Sequence, residues 1–177
     1  MPAFCVLLVL LALASVTDIR RHWISNWNTY PGMLLGLIIN CLGFGWLGHG
    51  WEGLQTSLVG FLACGGLMLV AFVFFDMGGG DVKLMAMVGA FLGLESGIEV
   101  VLWTFSLGFV LGMAVIIWQV GVAKLLGAAF EHLRLVTQAK GWVPLTPLER
   151  QPLQRGLFLA PSAFLAAALV GYRHLMG

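Results

Sequence analysis

Long apolar stretches run through this chain with only short polar breaks between them, and few folds accommodate such a pattern. A helix needs about 20 mainly apolar residues to cross the hydrocarbon core of a bilayer. Stretches approaching that length occupy roughly residues 2–17, 31–48, 54–75, 82–95, 97–120 and 157–175. The fourth is short and interrupted by Gly89 and Gly93, and only Glu95-Ser96-Gly97 divides it from the fifth. Hydrophobic residues fill 60% of the 177 positions and charged residues 10%, more apolar surface than a soluble core of this size hides. Backbone polar groups in a bilayer must be paired within the structure, and apolar runs of this length do that as helices. The expected fold class is all-α: a polytopic transmembrane helix bundle with about six spanning helices, forming a single integral-membrane domain over residues 1–177.

Charge placement supplies an independent test, because Lys and Arg concentrate in cytoplasmic loops. Arg20 and Arg21 fall between the first and second stretches, and Lys83 between the third and fourth. Lys124, Arg134, Lys140, Arg150 and Arg155 fall between the fifth and sixth. Eight of the nine basic residues thus share one side, leaving only Arg173 on the other. This predicts both termini outside and the Asp18 and Asp81 ends at the cytoplasmic face. The first stretch has no basic residue before it and two arginines after it, which fits a retained helix rather than a cleaved signal. Net charge is +1, leaving no basic face for nucleic acid. Cys5, Cys41 and Cys64 lie in apolar runs without CxxC spacing, as inert buried thiols do. Residues 121–156 are the one sizeable polar connection, a cytoplasmic or interfacial loop in which 124–138 has the pattern of an amphipathic helix. Trp23, Trp27, Tyr30 and Trp142 near one predicted boundary, and Trp46 and Trp51 near the other, form an interfacial belt.

Against this background Met77-Gly78-Gly79-Gly80-Asp81-Val82-Lys83-Leu84 stands out, an acid in a triple-glycine turn between two apolar runs. Ionisable groups at membrane depth are costly and usually mark function. Asp18 lies where the first run ends, on the same predicted side. Two close carboxylates do not both ionise easily, so one keeps a proton while the other accepts one from an attacking water. That pair hydrolyses a peptide without a protein nucleophile. Each acid also has a plain reading: Asp81 as a helix N-cap, and Asp18 as a loop acid paired with Arg20, Arg21 or Lys83. Asp76 competes for the catalytic role, whereas Glu95 and Glu99 map to the opposite side. Ser15, Ser25, Ser57, Ser96, Ser106 and Ser162 have no evident His or Asp partner in sequence, and His22, His49, His132 and His174 show no HExxH spacing.

Gly78-Gly79-Gly80-Asp81-Val82-Lys83-Leu84 resembles the GxGD motif of the type IV prepilin peptidases, aspartic proteases of the bacterial inner membrane. Asp18-Ile19-Arg20-Arg21-His22-Trp23-Ile24-Ser25-Asn26 is similar to the family's first aspartate block, with Ser25 in place of its usual proline. Leu157-Phe158-Leu159-Ala160-Pro161-Ser162-Ala163 is a looser match to the start of its last helix. The resemblance implies Asp18 and Asp81 as catalytic residues, Gly78 and Gly80 as motif glycines, and Asn26 and Lys83 as supporting motif residues. It implies a prepilin or pseudopilin substrate cut before its hydrophobic helix, with no cofactor and no metal. The cysteine-rich cytoplasmic insertion of longer members is missing here. The chain resembles the short Flp/Tad-type branch, which implies no N-methylation, no zinc and no S-adenosylmethionine. Partners in a pilus or secretion apparatus fit the same resemblance. Two other classes stay open on the residues: a non-catalytic membrane subunit of such an apparatus, and a small proton-coupled transporter using Asp81 as a relay.

Overall fold

The computed structural model describes residues 2–21, 26–45, 47–48, 50–75, 78–120 and 159–176. All regular structure among them is helical: α1 (Pro2–Arg21), α2 (Asn26–Cys41), α3 (Gly50–Phe75), α4 (Gly79–Val120) and α5 (Leu159–Met176). The chain divides into two compact units, Met1–Leu107 with Phe158–Gly177, and Gly108–Leu157. In the second unit the described part is the helical stretch 108–120, with Phe109, Val110 and Trp118 exposed. The 121–156 connection and its expected amphipathic helix lie outside the described residues. Among the described residues, three stretches are long and apolar enough to cross a membrane: Ala3–Arg20, Gly50–Phe74 and Gly79–Val115. This is a membrane protein built of helices.

The helices do not stop where the apolar runs stop. Helix α1 continues through Arg21, so Asp18 lies on a helix rather than in a loop. Helix α2 begins at Asn26, several residues before the expected start, with Pro31 inside it. Proline there removes only the one bond to the carbonyl four residues earlier. Helix α2 also ends early, at Cys41, although apolar residues continue. The Gly43 N–H bonds the Asn40 carbonyl at 3.1 Å and the Phe44 N–H bonds the Ile39 carbonyl at 3.0 Å. Gly43 takes φ +79°, which completes a Schellman stop that β-carbon-bearing residues resist.

Helix α4 breaks at Gly93, where φ is +75° and ψ −166°. Glycine occupies that region without penalty. A β-carbon on Gly97 would lie 3.2 Å from the Gly89 Cα, so the chain turns back sharply rather than bending gently. The two arms, 79–92 and 94–120, correspond to the fourth and fifth expected segments, with the turn slightly earlier than Glu95-Ser96-Gly97. A break of this kind frees carbonyls in the last turn of the first arm. The Asn40 side-chain amide donates to the carbonyls of Ala90 at 2.9 Å and Phe91 at 3.2 Å. The Ser57 hydroxyl also donates to the Ala90 carbonyl. Two polar side chains from α2 and α3, both buried, therefore cap the end of the arm.

Contacts give the directions within the first unit. Gly32 and Gly36 of α2 face Met87 and Phe91, so α2 runs parallel to the first arm of α4. Gly65 of α3 faces Ala86, and Phe72 approaches Gly79, so α3 runs antiparallel to it. Gly60 and Gly89 pack backbone to backbone, an approach that small residues permit in lipid. Helix α5 packs antiparallel to α1: Ala160 lies by Asp18, and Gly171 by Phe4. The first arm of α4 is enclosed, with every residue from Leu84 to Gly93 buried. Leu34, Ile38, Leu62, Val73 and Phe74 on the surrounding helices are exposed, as lipid-facing side chains are.

Candidate functional site

Because these helices alternate in direction, one end of the first unit gathers the end of α1 and the starts of α2, α4 and α5. Asp18 is half-buried in the last turn of α1. Its Oδ2 accepts a long hydrogen bond, 3.4 Å, from the Ala160 N–H in the first turn of α5. A helix N-terminus offers unpaired N–H groups and a partial positive charge to such an oxygen. Asp81 is half-buried on the first turn of α4. The two carboxyl groups are close enough to interact electrostatically, although α1 and α4 are far apart along the chain.

The triple glycine sets the local geometry of Asp81. Helix α4 begins at Gly79, so Gly78 occupies the cap position and Asp81 sits inside the helix. The N-cap reading of Asp81 is thereby replaced by a first-turn position. Its own N–H is engaged by the Gly78 carbonyl at 3.0 Å. The carboxylate folds back over Gly78, where a β-carbon would lie 3.2 Å from Oδ2. Gly80 is half-buried in the same turn.

The remaining motif residues meet each other. The Lys83 ammonium donates to Asn26 Oδ1 at 3.0 Å and lies 4.9 Å from the centre of the Tyr30 ring. Lys83 is thus tied to the first turn of α2, not to Asp18. Asn28 of that turn donates from Nδ2 to the Leu10 carbonyl of α1 at 2.8 Å. Asn28 and Asn40 carry no motif in the sequence, and Tyr30 stands there only as part of an interfacial belt. An amide inside or beside an apolar run was the available signal. Asp76, His22 and Ser25 lie outside the described residues.

The opposite end of the unit holds different chemistry. Arg173 pairs with Glu99 at 2.8 Å, and Ser96 Oγ lies 3.2 Å from His174 Nε2. Ser96 therefore does have a histidine partner, which packing of α5 supplies across a long sequence separation. A pocket of about 490 Å³ lined by Gln55, Thr56, Glu95, Ser96 and His174, among others, opens there. Glu95 and Glu99 stand at this end, away from Asp81, as their places at the end of the fourth segment and the start of the fifth implied. Among the described residues there is no cluster of three or more His, Cys, Asp or Glu suited to a metal ion.

Compared with known protein families, residues 5–113 match the model described as the type IV leader peptidase family. The match takes in Asp18, Asn26, the glycine turn, Asp81 and Lys83, and stops before α5. No curated protein and no solved structure matches the chain.

Proposed function

Because this chain belongs to the type IV leader peptidase family, we propose that it is a membrane-embedded aspartic endopeptidase that removes the basic leader from prepilin-like precursors. The substrate is an Flp-type pilin or pseudopilin, cut at the cytoplasmic face of a bacterial inner membrane. One observation carries this reading: the helix packing brings Asp18, in the last turn of α1, and Asp81, in the first turn of α4, to the same end of the unit. The site is then a pair of carboxyls sharing one proton. The ionised member takes a proton from water as the water oxygen bonds to the scissile carbonyl carbon. The protonated member hydrogen-bonds the carbonyl oxygen, then protonates the amine as the C–N bond breaks. Gly78 and Gly80 shape the turn that aims Asp81, and Asn26 and Lys83 brace it. The substrate's apolar helix stays in lipid while its leader enters the polar end of the bundle.

The chain crosses the membrane about six times, with both termini outside and the aspartate end in the cytoplasm. Asp18, Asn26 and Lys83 at one end, and Glu99 and Arg173 at the other, mark the two polar ends of the unit, and the excess of basic residues on the aspartate side is what supports the orientation.

Co-expression with a short pilin from the same genome tests the reading by gel shift of the leader. Asp18→Asn and Asp81→Asn are each expected to reduce cleavage by about 10²-fold or more while the protein still inserts. Full processing in either variant overturns the assignment, and a wild-type chain that never cleaves points to a non-catalytic assembly subunit.

A further inference from the structure

The first turn of α2 lies between the two helices that carry Asp18 and Asp81, and it makes polar contacts to both. Asn26 and Tyr30 are four residues apart and share a face, on which they hold the Lys83 ammonium. Asn28 lies about 200° around the helix from Asn26 and binds the Leu10 carbonyl of α1. Lys83 is two residues beyond Asp81 on the same helical turn. A cation held by both an amide oxygen and an aromatic face is constrained in two directions.

We propose that this turn is a spacer that sets the separation of the two aspartates, with Lys83 as the positioning residue for Asp81 and Asn28 as the matching anchor on α1. The Lys83 ammonium is committed to α2, so its effect on Asp81 is one of position. Removing either anchor lets α1 and α4 slide relative to each other. The consequence for turnover rests on the peptidase reading; the spacing itself does not.

Two measurements separate those claims. The first uses a background in which Cys5, Cys41 and Cys64 are replaced by alanine and the aspartates are changed as Asp18→Cys and Asp81→Cys. Membrane vesicles of this chain are treated with a short bifunctional thiosulfonate, and cross-linked peptide is quantified by mass spectrometry. Lys83→Met keeps the apolar stem but removes the cation, and is expected to lower the cross-link yield several-fold. Asn28→Ala, acting from the α1 side, is expected to do the same. Lys83→Arg restores most of the yield, because guanidinium also binds an amide oxygen and an aromatic face.

The second measurement uses the native aspartates and a synthetic peptide comprising a basic prepilin leader and its following helix, in vesicles. Lys83→Met is expected to lower kcat about tenfold or more with KM unchanged, as misplacement of a catalytic group does. Unchanged cross-linking in both Lys83→Met and Asn28→Ala overturns the spacer. A loss through KM alone also overturns it, since Lys83 would then be contacting the leader. If wild-type protein cleaves no peptide, the peptidase reading fails and the cross-linking alone decides the spacer.

Discussion

Neighbouring glycines in the turn before α4 have different duties. A β-carbon on Gly78 would press on the Asp81 carboxylate at 3.2 Å, whereas one on Gly79 would meet only the Phe72 ring at 3.9 Å, an ordinary contact. Gly78→Ala is therefore expected to shift the carboxylate by a few tenths of an ångström and lower kcat roughly tenfold, with little change in melting temperature. Gly79→Ala, inside the first turn, is expected to leave kcat near wild type and to favour the helix by about 0.5–1 kcal/mol. Steady-state kinetics and thermal unfolding in detergent on both variants check the contrast; equal kcat losses would contradict it. At this scale the acids were legible, since a carboxylate in an apolar chain costs too much to be incidental. Which glycine touches the carboxylate was not, because the sequence shows three alike.

Among the elements, α4 shows most clearly how a break is located. The apolar run weakens around Glu95-Ser96-Gly97, yet the chain turns at Gly93, where Asn40 and Ser57 meet the freed carbonyls. Hydropathy cannot place that turn, because the capping groups come from two other helices. Gly93 combines positive φ with extended ψ, a region essentially closed to side-chain-bearing residues. Gly93→Ala is expected to destabilise the protein by about 1–3 kcal/mol, read as a lower unfolding temperature in detergent. Gly93→Asn gives no rescue, since asparagine tolerates left-handed helical backbone but not this region. A wild-type melting curve for Gly93→Ala would contradict the turn.

At the scale of the whole molecule the open quantity is orientation in the bilayer. Reporter fusions after residues 80 and 140 are expected to read cytoplasmic, and one after residue 50 periplasmic, by the bias of basic residues to one side. A periplasmic signal at residue 80 would put Asp81 on the wrong side for leader removal. The sequence alone determined that the chain is helical and membrane-bound and that Asp18 and Asp81 merit attention. Those conclusions follow from apolar run length and from the cost of charge in lipid, both local properties of the chain. Only tertiary structure decided that α2 begins at Asn26 and reaches both aspartate helices, that Lys83 binds Asn26 and Tyr30, and that Asn40 caps α4. Those contacts join residues distant along the chain, and helix packing, which hydropathy does not encode when most faces are apolar, selects them.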